Sequence, residues 1–264
     1  MNSTNFRVFG IGGLIAYRGL FNWIRPRIYI PTMLGAPLFQ IIFFTYLGKY
    51  AETGQSADFF IVGNAVQVCS MSAVYGMTMA IANERQFGTL GPLLASPASR
   101  IAIFLGRGVP VLANGLVVSA FGFIVGAALL GFRPGLSSLP ALALITVVTA
   151  ASCTCFGMVL GSIGLRGKDF FFVANLAYYL LLLFCGINVP LSTMPEWMRV
   201  VGDCLPLTHG VAAARHVAAG ESLQSVAGLA GTEAVIGIAY AATGYLMFRL
   251  LETASRRAGA MDTF

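Results

Sequence analysis

The run Leu139-Pro140-Ala141-Leu142-Ala143-Leu144-Ile145-Thr146-Val147-Val148-Thr149-Ala150-Ala151-Ser152-Cys153-Thr154-Cys155-Phe156-Gly157-Met158-Val159-Leu160-Gly161-Ser162-Ile163 decides the fold. It carries no charged side chain from end to end. A helix of about 20 apolar residues crosses a bilayer, whereas an outer-membrane strand needs only about ten and alternates polar with apolar positions. This run is continuous and too long for such a strand, so it predicts a membrane-spanning helix. Five further apolar segments have the same character: Ile28–Leu47, Phe59–Ala82, Val109–Phe132, Phe170–Val189 and Val226–Phe248.

Composition agrees with the runs. Of 264 residues, 57% are hydrophobic and 10% are charged, and the mean hydropathy is +0.81. A soluble domain carries about 25% charged residues. This scarcity excludes an ordinary soluble enzyme, a disordered regulator and a nucleic-acid binder. The length has room for about six or seven spans with short connections.

The net charge of +6 is read by position, because loop Lys and Arg set membrane orientation. An inside N-terminus places Arg7, Arg18, Arg25, Arg27, Arg85, Arg100, Arg107, Arg166, Lys168, Arg249, Arg256 and Arg257 in the cytoplasm, which is 12 of the 16 basic residues. Lys49, Arg133, Arg199 and Arg215 then lie outside. The expectation is six spans with both termini inside, and the basic excess is a topology signal rather than an anion site. The first clean apolar run begins near Ile28 and exceeds a signal-peptide core of about 7–15 residues, so a retained N-terminus is expected.

Three connecting regions are informative. Between Asn5 and Arg27, Arg7, Arg18 and Arg25 are spaced by near-whole helical turns and share one face, with aromatic residues on the remainder. This predicts a helix lying in the interface; the alternative is a seventh, charge-broken span. The connection Glu84-Arg85-Gln86-Phe87-Gly88-Thr89-Leu90-Gly91-Pro92-Leu93-Leu94-Ala95-Ser96-Pro97 places Phe87, Leu90, Leu93 and Leu94 on one stripe of a short amphipathic helix. An apolar stripe beside the membrane needs headgroups or a partner protein to cover it. The segment from Pro190 to Ser225 is the longest connection, and Pro190, Pro195 and Pro206 divide it. Brief helices are expected over Glu196–Cys204 and Leu207–Ala219, the first with Pro195 at its start, and Trp197 suits the interface.

Catalytic and metal motifs are missing from the sequence. Gly48-Lys49 and Gly167-Lys168 lack the upstream Gly and following Ser/Thr of a phosphate loop, and neither His-Glu-x-x-His nor a nucleophile elbow occurs. His209 and His216 read as interfacial polar residues rather than a metal pair. The five Cys form no CxxC pair and no disulfide framework. Glu233 is the one clear ionisable residue within a span, and it has three readings: a substrate contact, a helix contact or a place near the headgroups. Gln40, Asn64, Gln67, Asn114 and Asn175 are span amides suited to interhelical hydrogen bonds. Gly122-x-x-x-Gly126 and Gly157-x-x-x-Gly161 allow close helix approach.

Taken in order along the chain, these features resemble the membrane-spanning subunit of type-2 ABC exporters, the permeases of drug and antibiotic efflux pumps and polysaccharide exporters. The resemblance rests on the interfacial N-terminal helix and six spans. It rests further on Glu84-Arg85-x-x-Gly88-Thr89-Leu90-x-x-Leu93-Leu94-x-Ser96-Pro97, and on Pro190…Met194-Pro195…Leu205-Pro206-Leu207-Thr208-His209. It covers nearly the whole chain and implies an all-α membrane protein with one transmembrane domain over 1–264.

It further implies roles. Residues 5–27 become a connecting helix. Residues 84–97 become a cytoplasmic coupling helix that meets a separate ATPase subunit through Glu84, Arg85, Gln86, Phe87, Gly88, Thr89, Leu90, Leu93 and Leu94. Residues 190–225 become an external re-entrant segment, with Pro195, Trp197, Pro206 and His209 at a gate. Asn64, Gln67, Asn175, Tyr178 and Glu233 are the candidate path residues. The implied assembly has two permease subunits, alike or different, and two ATPase subunits that hold ATP and Mg; this chain holds no cofactor and is not itself an enzyme. The implied function is export of a drug-like or amphipathic substrate across a bacterial inner membrane. Glycan or lipid-linked export, a proton-coupled carrier and a membrane-embedded assembly protein are the alternatives.

Overall fold

The computed structural model describes residues 30–51, 54–86, 100–164 and 170–257. The expected interfacial helix over 5–27 and most of the 84–97 connection lie outside those residues. Among the described residues the secondary structure is all helical, with no strand. A π-helical turn over Ile30–Gly35 leads into α1 (Ala36–Tyr50). There follow α2 (Ala57–Gln86), α3 (Arg100–Leu129) and α4 (Leu139–Gly164), the last preceded by a 3-10 turn over Leu136–Ser138. After α5 (Phe170–Phe184) and a second 3-10 turn over Leu191–Thr193 come two short helices, α6 (Glu196–Cys204) and α7 (Thr208–Ala218). The 31-residue α8 (Ala227–Arg257) ends the described chain.

Among the described residues, three stretches are long and apolar enough to cross a membrane: Ala57–Ala80 in α2, Gly106–Leu129 in α3, and Leu136–Ile163 in and before α4. Phe171–Phe184 in α5 is a shorter apolar helix. The helix ends follow local chemistry. α3 closes with Gly131 in the left-handed region, φ 78°, and Phe132 donates its N–H to the Gly126 carbonyl at 3.0 Å. This is a six-residue capping bond of the kind that a C-terminal glycine permits. α5 stops just before Gly186, whose φ is 68°.

α2 is the hub of the bundle. It packs most extensively on α3 and α4 and also meets α1, α5 and α7. Every residue from Phe60 to Ser70 is buried. A helix buried around its whole circumference needs no amphipathic stripe, which explains why apolar residues occur on every face of α2, with the uncharged Asn64, Gln67 and Ser70 among them. Close approach is supplied by small residues. A Cβ on Gly157 of α4 would stand 2.5 Å from the Ala73 carbonyl oxygen and 3.0 Å from Met77 Cβ, so only glycine lets α4 lie this near α2. Gly122 and Gly126 of α3 face Ala65 and Ile61 of α2 in the same way, so Gly157 and the Gly122–Gly126 pair supply helix contacts within one chain.

The outward faces are apolar as well. Phe172, Tyr179 and Leu183 on α5, Phe39 and Phe43 on α1, and Ile238 and Leu246 on α8 are all exposed. Apolar surface of this extent, with the apolar helices, marks a membrane protein.

Candidate functional site

Two polar constellations stand out against this apolar bundle. The first joins α1, α2, α5 and the chain after α5. Gln40 of α1 donates from Nε2 to Asn64 Oδ1 at 3.1 Å and to Gln67 Oε1 at 2.7 Å. The Tyr178 hydroxyl of α5 donates to Gln40 Oε1 at 2.8 Å and lies 3.5 Å from Gln67 Oε1. Asn64 donates onward to Asn188 Oδ1 at 2.8 Å and to the Phe60 carbonyl at 2.9 Å. Asn64 and Gln67 are fully buried and Tyr178 nearly so. Gln67 Nε2 is a buried donor with no acceptor among the described residues. Every member is neutral. Such a cluster holds helices together in a medium without water, and it can exchange partners with a neutral hydrogen-bonding ligand.

Of the predicted path residues, Asn64, Gln67 and Tyr178 therefore meet one another. Asn175 lies beside them on the exposed side of α5, where it accepts the Tyr75 hydroxyl at 2.7 Å. The rings of Tyr75 and Tyr178 are 5.9 Å apart. Glu233 is not part of this group.

The second constellation surrounds α7. The Glu233 carboxylate of α8, fully buried, accepts the Leu207 N–H at 2.8 Å and the Gly210 N–H at 3.0 Å. Its geometry is that of a helix contact: a carboxylate at a helix N-terminus satisfies amides that have no intrahelical acceptor and complements the helix dipole. Leu207 itself is buried with φ 91°. At the other end of α7, Arg215 donates to the carbonyls of Phe59, Gly186 and Ile187, and its guanidinium carbon sits 3.5 Å from the Phe59 ring centroid.

The predicted gate residues border α6 and α7. Pro195 precedes α6, and exposed Trp197 packs edge-on against Phe184 with centroids 6.0 Å apart. The Pro206 carbonyl accepts the Cys185 thiol at 3.4 Å, and a ring nitrogen of His209 lies 3.2 Å from the Asp203 carbonyl. Beyond α7, Glu221 binds His216 Nδ1 at 2.6 Å and the Ser225 hydroxyl at 3.1 Å. These two hydrogen bonds hold the exposed Glu221 carboxyl below its ordinary pKa. No group of three or more metal-ligating side chains occurs among the described residues. Toward the predicted coupling connection, α2 runs to Gln86. The side chains of Glu84, Arg85 and Gln86, and all of Phe87, Gly88, Thr89, Leu90, Leu93 and Leu94, lie outside the described residues.

Sequence reasoning missed Arg215, Asn188 and Tyr75. Arg215 was legible in principle. It follows Thr208 by seven and Val211 by four, so it shares the buried face of α7 with them. An Arg on the apolar face of a short helix is a signal distinct from a loop charge.

The comparisons with known proteins agree with this architecture. Residues 13–218 match the family described as ABC-2 type transporter. The chain is 27% identical over 186 residues to the daunorubicin resistance ABC transporter permease protein DrrB1 of Streptomyces coeruleorubidus; the match covers 69% of this chain and 65% of that protein. It is 25% identical over 154 residues to the probable multidrug ABC transporter permease YbhR of Escherichia coli (strain K12), covering 57% of this chain and 41% of that protein. The chain thus spans somewhat under two thirds of the first relative's length and well under half of the second's. The family match runs from ahead of α1 to the last residue of α7, so both polar constellations fall within it except for Glu233. The chain belongs to the ABC-2 type transporter family.

Proposed function

We propose that this chain is the permease subunit of an ATP-driven exporter in a bacterial inner membrane, working with a separate ATPase subunit and a second permease subunit. The observation that carries the reading is the family match over 13–218, which includes both the 84–97 connection and the α6–α7 segment. In this reading six spans run with both termini in the cytoplasm, and residues 5–27 form the connecting helix. The Glu84–Leu94 stretch seats in the ATPase, where ATP and Mg bind. Nucleotide binding favours one of two permease states, and the coupling helices transmit that preference. The α6–α7 segment, with Pro195, Trp197, Pro206 and His209, closes the outer end. The neutral amide and phenol groups at α2 and α5 suit a neutral or amphipathic substrate better than a strongly charged one. Drug-like cargo is favoured because the two relatives are named for daunorubicin resistance and for multidrug transport.

The test is co-purification of the full chain with the ATPase encoded beside it, followed by vanadate-sensitive ATPase activity and efflux of a drug panel from cells. Stable, active protein with no ATPase partner would overturn the exporter reading. An altered surface-glycan profile in a deletion strain, with unchanged drug sensitivity, would move the substrate class to glycans. Charge reversal of both Glu84 and Arg85 is expected to abolish stimulation of the ATPase while leaving assembly of the spans intact.

A further inference from the structure

The two ionic side chains at α7, the fully buried Glu233 and the half-buried Arg215, hold its ends in different ways. The N-terminal end is fixed by shape as well as charge. Besides the Glu233 bonds, the Thr208 hydroxyl donates to the Gly202 carbonyl at 2.6 Å. Gly210 is pressed against Thr149 of α4 so closely that a Cβ would overlap it. The C-terminal end is held by burial of Ala214 and Val217 and by the polar contacts of Arg215. Its donors reach the Phe59 carbonyl at 3.2 and 3.1 Å, the Gly186 carbonyl at 2.9 Å and the Ile187 carbonyl at 2.7 Å. A guanidinium has five N–H donors, so these bonds leave one without a protein acceptor among the described residues. All three acceptors are neutral, and no carboxylate pairs with Arg215 among the described residues.

A carboxylate is nevertheless close. Arg215, Ala218 and Ala219 at the end of α7 line a cavity of about 220 Å³ together with Gln55, Ser56 and Asp58 at the start of α2. Asp58 is exposed and adjoins Phe59, whose carbonyl already holds Arg215. The cavity provides room for the guanidinium to turn, and Asp58 offers a charged acceptor in place of two neutral ones.

We infer that α7 is a hinged strap: its Glu233 end is the pivot, and Arg215 is a latch that exchanges the Gly186 and Ile187 carbonyls for Asp58 when the C-terminal end lifts. The two positions of Arg215 define two discrete states, as a switch requires. The latched position is the one observed. It ties α7 to the end of α5 and the start of α2, and lifting it uncovers Val217, which is fully buried in the latched state. The strap depends on α7 and the parts of α2 and α5 that meet it, whatever the chain transports.

The test uses the full chain in lipid nanodiscs, where both faces meet a soluble maleimide. Cys155 and exposed Cys204 are replaced by alanine and serine, and Val217→Cys reports on the latch end. Native Cys185, whose thiol meets Pro206, reports on the pivot end. Arg215→Gln is expected to speed labelling of Val217→Cys by about tenfold, the scale of one lost charge-assisted hydrogen bond. Asp58→Asn is expected to slow it several-fold, because the lifted state loses its acceptor. In the Arg215→Gln background, Asp58→Asn should then have no effect, and Cys185 should stay protected throughout. Arg215→Lys, which retains the charge without the planar fork, falls between wild type and Arg215→Gln. Labelling unmoved by Asp58→Asn, an Asp58→Asn effect that persists without Arg215, or parallel exposure of Cys185 would each overturn the strap. Because Asp58 is exposed, its variant preserves the packing, and a purely structural Arg215 would leave it silent.

Discussion

Glu233 Oε1 accepts the backbone N–H of Leu207 at 2.8 Å, which joins α8 to the one non-glycine residue with positive φ among the described residues. Its second oxygen takes the Gly210 N–H. Both lone-pair faces are thus used by fixed amides. Glu233→Gln keeps the shape but turns an NH2 donor toward one of two N–H donors. The expected cost is about 1–3 kcal/mol, the penalty for one buried unsatisfied group. It should appear as a lowered thermal unfolding midpoint of the purified protein in detergent. An unchanged midpoint would mean the carboxylate does not hold α7.

Leu207 poses a contest between strain and burial. A left-handed conformation at a bulky residue costs roughly 1–3 kcal/mol, and glycine would remove that cost. Yet the Leu207 side chain is fully buried in the core. Removing a buried Leu side chain costs about 2–5 kcal/mol. Burial wins, so Leu207→Gly is expected to destabilise the protein by a net of about 1–2 kcal/mol. A denaturant titration of the same detergent-solubilised protein would read the sign directly.

These two residues mark where sequence reading ends. The apolar runs that became α2, α3 and α4 were legible because a helix whose faces meet either other helices or lipid needs only composition and length. The ends of α6 were legible from Pro195 and Pro206, since proline restricts the backbone on its own. Glu233 was legible as an exception, with a helix contact among its three readings, but its partners were not, because Leu207 and Gly210 lie on a different element. Arg215 counted as one more outside charge. Its three carbonyl acceptors lie 28, 29 and 156 residues away, and no local pattern announces a partner at such separations. The amides Gln40, Asn64 and Gln67 were visible singly, whereas their junction with Tyr178 depends on how α1 and α5 flank α2.

Glycine substitutions should separate packing from propensity. At Gly157 a Cβ meets the Ala73 backbone carbonyl and cannot be relieved by a rotamer change. Gly157→Ala is therefore expected to cost about 1–3 kcal/mol through overpacking. At Gly231 of α8 a Cβ meets nothing within 4 Å. There Gly231→Ala is expected to stabilise by about 0.4–1 kcal/mol, because alanine narrows the unfolded ensemble. Opposite shifts in the unfolding midpoint are the expected outcome. Shifts of the same sign would mean that the α2–α4 contact is looser than its geometry.

The Tyr178–Gln40 bond offers a way to tell helix glue from a substrate path. Tyr178→Phe removes the hydroxyl that donates to Gln40 Oε1, and Gln40→Leu removes the acceptor together with both bonds to Asn64 and Gln67. Groups in one network are not additive, so the double variant should cost less than the two singles together, by about 0.5–1.5 kcal/mol. Stability alone would show this for glue or path alike. The discriminating measurement is substrate-stimulated ATPase activity of the assembled transporter for variants matched in stability. If the network serves only as glue, the substrate concentration giving half-maximal stimulation stays constant across Tyr178→Phe and Asn175→Ala, and only the amount of folded protein changes. If it lines the path, that concentration shifts several-fold for one substrate and not for another. Such a shift is expected to be larger for Asn175→Ala, because Asn175 is exposed beside Tyr75 whereas Tyr178 is almost fully covered.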